Sequence, residues 1–518
     1  MKSVGEIIRE YRRQQGMTQS ELGGKLFVSK QAVSKWEKNL TLPDIGAVRK
    51  ICEILSIPAS VILQQMIKDP RAHREALQEL KGELNMGSKE RIDQWRDHKF
   101  GMFIHYGVYS VIARINEWVM YHEPIDRDDY AEIAEKQFSA ENFDAAYYAQ
   151  LAKKAGMKYM VFTTRHHDGF ALYDSKCSYR DFTVMNTPAK RDLVREYADA
   201  CRNAGLAVGF YYSPLDWRFE GYFFPRMYRK SAEAMREQCF AQVRELMENY
   251  GNIDILWFDG GEDDWLARGY NLNKWNISYD DEESSYKKVM IPEFWGEYEM
   301  HEMVRSLQPH IVVNNRYGMR RLGDYTTPEG IVGDFDAERP WETCYTIFND
   351  ATWGWIPDKK IMSLKEIIYL LVEVVTGGGN LLFNIPPRGD GSLDPTHEAR
   401  LLEVGEWMDK YGDTIYGTRC GPFKNRKEIG GFNHKDNKIY AFIKEDASPK
   451  LSLPLCGAEV IDVISRSGDE IKYSVKNGKL DLEFSGKRAP IMSVIEIVLD
   501  RNVSEVYKDF DVNTRVYF

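Results

Sequence analysis

One pattern recurs along the chain: a short apolar, β-prone run that stops abruptly in polar and aromatic residues. Residues 158–170 show it most clearly. Tyr159-Met160-Val161-Phe162-Thr163-Thr164 ends in Arg165-His166-His167-Asp168-Gly169. A continuous run without polar alternation predicts a buried strand of a parallel sheet, and its polar end predicts a loop at the strand's C-terminal tip. Similar runs stand at 100–105, 207–213, 253–258, 311–315 and 381–385. Between them lie amphipathic helical stretches near 141–155, 190–204, 230–249, 296–308, 363–376 and 397–411. Repeated strand–helix units over 91–418 predict a (β/α)8-like TIM barrel. The two remaining strands are expected near 114–120 and 331–336.

The flanking regions follow other periods. Residues 1–66 form a set of short helices, with Gly16 stopping the first, Thr18 and Glu21 spaced as a capping box, and Ser29 capping a helix that runs through Val33 and Trp36. Helix, tight turn and helix in this order predict a helix-turn-helix bundle with 29–37 as recognition helix. Residues 67–90 are polar and read as a partly helical linker. From 419 to 518 short alternating strands appear at 438–443, 459–464, 480–484 and 493–498, which predicts an antiparallel β-sandwich.

Net charge is −10, but residues 1–66 carry +4 and the rest −14. The acidic bulk excludes a nucleic-acid coat and leaves a basic N-terminal piece of different character. Seven scattered cysteines, an odd number with no Cys-x-x-Cys pair, predict reduced thiols. No apolar signal core or bilayer-spanning run is found, so the expectation is a cytoplasmic protein that does not enter a membrane.

The strand tips carry the chemistry. They supply His105-Tyr106-Gly107, Arg165-His166-His167-Asp168, Tyr211-Tyr212-Ser213, Trp257-Phe258-Asp259-Gly260 and Asn314-Asn315-Arg316-Tyr317. All point to one barrel face, where such folds place their sites. Imidazoles, phenols, an indole and a guanidinium around a carboxylate suit a polyhydroxylated ligand. Any one of these side chains alone reads as structural; their convergence carries the inference. Adjacent His166 and His167 would alternate sides on a strand and chelate poorly, so no metal and no cofactor is expected. Gly377-Gly378-Gly379 precedes a strand and does not open a helix, unlike a phosphate loop.

The ordered blocks from 91 to 415 resemble the α-L-fucosidases of glycoside hydrolase family 29. They are Lys99–Gly107, Asn116-Glu117-Trp118, His166–Phe170, Gly205–Trp217, Leu256–Gly260, Asn314–Gly318, Asp324–Glu329, Pro340-Trp341-Glu342 and Gly378–Asn384. Tyr106 stands where the family often has Trp, and Pro386-Pro387 where it often has Gly-Pro. The resemblance implies a retaining exo-α-L-fucosidase acting on fucosylated glycosides or oligosaccharides. Asp259 matches the nucleophile that forms a glycosyl-aspartate. Glu329 matches the acid/base, with Glu342 as the alternative. His105, Glu117, Trp118, His166, His167, Tyr212, Trp257 and Arg316 are expected to bind the sugar, Trp257 against the fucose methyl.

Residues 1–66 resemble the Xre/Cro-repressor DNA-binding family in Met17–Leu22, Val28-Ser29, Ala32–Glu37 and Leu42-Pro43. That resemblance implies DNA contact through Ser29, Lys30, Gln31 and Ser34, and a homo-oligomer, since such domains commonly act as dimers. Two other readings stay open: a fucoside-sensing transcription regulator with a weakly active barrel, and a hydrolase of a related sugar such as a β-galactoside.

Overall fold

The computed structural model describes residues 2–67, 73–84, 86–123, 125–262, 265 and 293–512. They fall into two compact units. The first comprises Met1–Ser88 with Gly296–Ser306, the second Lys89–Trp295 with Leu307–Phe518.

The first unit is helical. Ser3 with Glu6 and Thr18 with Glu21 form reciprocal capping boxes on helices Val4–Gln14 and Gln19–Leu26. Ser29 and Asp44 cap the helices Lys30–Glu37 and Ile45–Leu55. Each cap satisfies backbone N–H groups that have no partner inside the helix. Ile8, Leu22, Val33, Ile51, Leu55 and Ile62 are wholly buried and make the small core. Beneath helix Lys30–Glu37, Arg12 donates from Nε and Nη2 to the two Glu37 oxygens at 2.5 and 3.0 Å, and Gln19 adds a third bond at 2.8 Å. Burial opposes ionisation of Glu37, but these bonds outweigh it and hold its carboxyl below the usual range. Lys30 and Gln31 stay exposed, Ser34 is half-buried, and the Ser29 hydroxyl accepts from Ala32 N–H as a cap.

The second unit opens with helix Lys89–His98 and is built on a seven-stranded parallel sheet. Its strands are β1 (Phe100–Ile104), β2 (Tyr159–Arg165), β3 (Ala207–Tyr212), β4 (Ile255–Phe258), β5 (Val312–Val313), β6 (Glu342–Thr346) and β7 (Asn380–Asn384). The spatial order is β5-β4-β3-β2-β1-β7-β6. Every residue of β1, β2 and β7 is buried, as strands covered on both faces require. Phe103, Val161, Tyr211, Trp257, Val312, Cys344 and Leu382, one from each strand, share a single apolar cluster. Both edges of a sheet can meet its centre in one cluster only if the sheet curls, so the sheet is a half-barrel with its tips gathered at one mouth.

The six main strand expectations are matched, and the two weaker ones are corrected. Residues 114–120 form a loop and the start of helix Val119–His122, because Ala113 and Ile115 take left-handed φ angles of 53° and 65° that break an extended run. Residues 331–336 are irregular. The seventh strand is β6, whose short polar sequence Glu-Thr-Cys-Tyr-Thr hid it. Between β5 and β6 the extended segment 325–329 makes single bridges, Asn314 to Tyr325, Thr326 to Trp341 and Glu329 to Cys344.

Beyond residue 418 all sheets are antiparallel. One has five strands (Arg419–Cys420, Gly430–Lys435, Lys438–Lys444, Met492–Leu499, Val460–Ser465 in spatial order), the other three (Lys450–Pro454, Lys479–Ser485, Glu470–Lys476). Ile439, Ala441 and Ile497 of the first share one core with Leu451, Leu453, Leu480 and Leu482 of the second. Strict in–out alternation along Lys479–Ser485 produces that one-sided burial. After the last strand comes a short helix, Val503–Val506, and 513–518 lie outside the described residues. All seven cysteines are free, and among the described residues no helix is long and apolar enough to cross a membrane.

Replacing Arg12 by Met strands Glu37 as a buried unpaired carboxylate. The expected cost is about 3–5 kcal/mol of stability in the helical unit, read as an earlier first transition when the full chain is melted. An unchanged first transition would remove this pair from the forces that hold the unit.

Candidate active site

A cavity of about 330 Å³ opens at the C-terminal mouth of the half-barrel. Phe103, Trp257 and Trp353 give it an apolar wall, and His105, Glu117, His166, His167, Asp259 and Glu329 bring polar groups to it. The size falls at the small end of ligand pockets, which run from about 300 to 1,000 Å³.

Asp259 follows β4 directly. Its Oδ1 accepts from Arg316 Nη1 at 2.9 Å, and its Oδ2 from the Tyr211 hydroxyl at 2.9 Å, with His167 Nε2 3.5 Å away. The next residue, Gly260, has φ +77°, and a Cβ there would meet the Leu215 side chain at 2.6 Å. Glycine is therefore needed for the chain to turn away and leave the carboxylate at the cavity wall. The Asp259 side chain keeps 15% exposure.

Arg316 follows the short β5. Thr327 holds it from two sides, through Oγ1 to Nε at 2.8 Å and through its carbonyl to Nη2 at 2.9 Å. So fixed, its Nη1 donates both to Asp259 and to Glu329 Oε2, the latter at 2.7 Å. The guanidinium also lies over the Trp257 ring, 4.6 Å from its centroid. Glu329 is 42% exposed, the most open of these acidic groups.

The imidazoles are kept neutral. Burial pushes His105 and His167 down to about 3 and His166 well below its ordinary value. Asn384 donates its own N–H to the Trp353 carbonyl at 2.8 Å and turns its oxygen to His105 Nδ1 at 2.9 Å. Nδ1 therefore carries the proton and Nε2 is an acceptor. His167 Nδ1 lies 2.6 Å from Ser213 Oγ. His166 packs 4.3 Å from the His167 ring and stacks on Tyr211 at 5.5 Å.

Glu117 is buried and accepts from the backbone N–H groups of Trp353 and Gly354 at 2.9 and 3.3 Å. Burial raises its carboxyl to about 7. Trp118 beside it is half-buried and meets the His167 ring edge-on at 5.3 Å.

Several expected residues stand elsewhere. Tyr212 does not line the cavity: side chains alternate along β3, so Tyr211 faces inward and Tyr212 outward, where its hydroxyl donates to Gln242 at 2.9 Å. Glu342 is wholly buried under the cavity floor. It accepts from Tyr159 at 2.5 Å and from Trp257 Nε1 at 3.0 Å, and lies outside the cavity lining. Arg316 likewise sits behind the lining and joins the two carboxylates. His166 and His167 lie past the end of β2 at Arg165, so strand alternation does not separate them. With Asp259 they present ligand atoms within 4.8 Å of one another. Tyr211, Asn384 and Trp353 escaped notice as site residues. Trp353 follows β6, the unrecognised strand, and applying the two-residue period to β3 would have found Tyr211.

Asp168 turns away from the cavity. It accepts from Tyr130 at 2.8 Å and from Phe170 N–H at 3.0 Å. Gly169, at φ +83°, brings the backbone against Asp216, whose carboxylate a Cβ would meet at 2.6 Å. Asp216 pairs with buried Arg165 at 2.8 Å and with Arg218 at 3.3 Å, tying the loops after β2 and β3 together.

Burial raises Glu342 to about 7, from an ordinary 4.5, and Glu117 likewise. A carboxyl raised on folding favours the folded state fully below pH 4.5 and loses that contribution as pH rises through 7. Thermal stability is therefore expected to fall between about pH 4.5 and 7. Glu342→Gln should flatten part of that slope in melting curves taken across the range. An identical slope in the variant would show that Glu342 does not titrate there.

The alpha-L-fucosidase family model matches residues 70–413, and a helix-turn-helix model matches 8–62. Tissue alpha-L-fucosidase of Rattus norvegicus is 27% identical over 415 residues, spanning 73% of this chain and 82% of that one. The solved alpha-L-fucosidase isoenzyme 1 of Paenibacillus thiaminolyticus is 33% identical, with a TM-score of 0.67 over 80% of this chain and 99% of that one. A GH29 alpha-L-fucosidase of Bacteroides thetaiotaomicron, solved as a trapped covalent intermediate, is 25% identical, with a TM-score of 0.68 over 79% and 96%. This chain belongs to the alpha-L-fucosidase family of glycoside hydrolases, with a helix-turn-helix domain at its N-terminus.

Proposed function

We propose that the protein is a cytoplasmic, retaining exo-α-L-fucosidase that releases terminal fucose from small glycosides or oligosaccharides. The observation that carries this reading is the shared donor: Asp259 and Glu329 both accept from Arg316 Nη1. Two oxygens bonded to one nitrogen cannot lie farther apart than two hydrogen bonds. That proximity supports double displacement, which needs carboxyl groups about 5–5.5 Å apart.

Asp259 is the nucleophile. Arg316 and Tyr211 donate to its two oxygens and fix the orientation of the carboxyl group. One oxygen attacks the anomeric carbon while the bond to the leaving oxygen breaks, and Glu329 hands its proton to that oxygen. Glu329 then takes a proton from water, the water oxygen attacks the same carbon, and the ester to Asp259 breaks. Its exposure at the mouth lets it exchange protons with solvent between turnovers. Glu342, closed off beneath Trp257, has no path to a leaving group; its support of Trp257 is the role its bonds favour. The Bacteroides neighbour, held as a covalent intermediate with 2-fluoro-fucosyl fluoride through a glutamate-to-glutamine variant, supports the same two-step scheme.

The neutral imidazoles of His105, His166 and His167, with Glu117, would hold the sugar hydroxyls. Phe103, Trp257 and Trp353 offer the apolar surface that a 6-deoxy sugar's methyl group needs. We read residues 1–66 as a DNA-binding domain working as a dimer, 67–90 as a linker, 91–418 as a (β/α)8 catalytic domain and 419–518 as a β-sandwich.

Asp259→Ala should lower release of nitrophenol from nitrophenyl α-L-fucoside by a factor on the order of 10⁴ or more. Glu329→Ala should spare this activated leaving group more than a natural glycoside, and added azide should restore turnover as α-fucosyl azide, the product of attack on the glycosyl-aspartate. A Glu342→Ala variant showing that rescue instead would reassign the acid/base.

A Lys30→Ala, Gln31→Ala double variant should lose sequence-specific retention of a DNA duplex selected by the wild-type chain, while fucoside hydrolysis stays unchanged. Equal retention by both proteins would end the DNA reading of this helix.

A further inference from the structure

A second cavity, of about 310 Å³, lies beside the catalytic one and is lined by Tyr121, Arg127, Trp217, Glu220 and Phe223. One aromatic wall divides the two. Trp118 lines the first cavity, and its ring lies 5.1 Å from Trp217 and 5.3 Å from Tyr121, both of which line the second. The Trp217 indole is buried, yet its Nε1–H finds no acceptor among the described residues. A buried indole N–H ordinarily has a partner, so the Trp217 donor is available to a hydroxyl that enters the cavity its residue lines. The same cavity is lined by polar groups held in place: Arg127 Nη1 donates to the Arg218 carbonyl at 2.7 Å and to Glu220 Oε1 at 2.6 Å, and Glu220 Oε2 accepts from Ser231 at 3.2 Å. Aromatic rings and fixed charged hydrogen-bonding groups lining one cavity complement what a pyranose presents: an apolar ring face and equatorial hydroxyls.

We infer that this cavity is a distal aglycone subsite, which binds a neutral sugar of the leaving oligosaccharide and makes fucosylated trisaccharides or longer chains the preferred substrates. The inference rests on the fucosidase reading of the first cavity. The occupied second cavity would stack its sugar on Tyr121 and Phe223, accept the Trp217 N–H at a ring or hydroxyl oxygen, and bond its hydroxyls to Arg127 and Glu220. Binding energy gained this far from the reacting carbon would appear in kcat/KM for long substrates only.

The test uses the full chain, with Arg127→Ala and Phe223→Ala made separately because neither residue lines the catalytic cavity. The substrates are nitrophenyl α-L-fucoside and a fucosylated lactose trisaccharide. Each variant should lose roughly five- to twentyfold in kcat/KM on the trisaccharide. Its kcat/KM on the aryl fucoside should stay within about twofold, which also reports that it has folded. Equal loss on both substrates, or no loss on either, would overturn the subsite. Failure of the wild-type chain to cleave either substrate would instead remove the fucosidase reading, and the subsite with it.

Discussion

Arg316 donates from one nitrogen to two carboxylates that lie 70 residues apart in the chain, and the geometry of the mouth depends on that fork. Two acidic groups at the edge of a largely apolar cavity repel each other unless a cation lies between them. Thr327 clamps the guanidinium from two directions, and Trp257 lies beneath it. Trp257 is in turn held by Glu342, and Glu342 by Tyr159 of β2, three strands away in the sheet. The chain of contacts runs from the floor of the half-barrel to the reacting groups. A charged pair becomes a defined pair because each member below it is already fixed.

Burial does the complementary work on the imidazoles. Three histidines meet at one wall, and protonating any of them would set a cation against the others and against Arg165 or Arg316. Desolvation keeps them neutral, so they serve as both donors and acceptors. That is what sugar hydroxyls require, and it leaves Arg316 as the cation nearest the carboxylates in the described site. Glu117, raised by the same burial, adds an acidic group whose proton is held until near neutrality.

Much of this was legible beforehand, for a physical reason. Strands buried on both faces cannot hide: β1, β2, β3, β4 and β7 declare themselves as apolar runs, and the polar tips of β1, β2 and β4 name His105, His166, His167 and Asp259 directly. Capping boxes at Thr18 and Glu21 did the same for the helical unit. What escaped detection was short or polar. β6 reads Glu-Thr-Cys-Tyr-Thr, so its tip residue Trp353 went unnoticed, and strands were sought instead at 114–120 and 331–336, where left-handed residues or irregular backbone interrupt extension. Tyr211 and Tyr212 are equivalent in a linear motif; only the two-residue period of β3 sends one inward and the other to Gln242.

The sequence by itself determined the family, the order of strands and helices, and the short list of carboxylates, because these follow from local patterning and ordered motifs. Tertiary structure alone decided which of two glutamates reaches the cavity. Glu329 and Glu342 are both acidic residues in extended segments between β5 and β7, and nothing local separates them. Only the curl of the sheet does: it turns Glu329 to the open mouth beside Arg316 and seals Glu342 under the indole of Trp257, where solvent and a leaving group cannot follow.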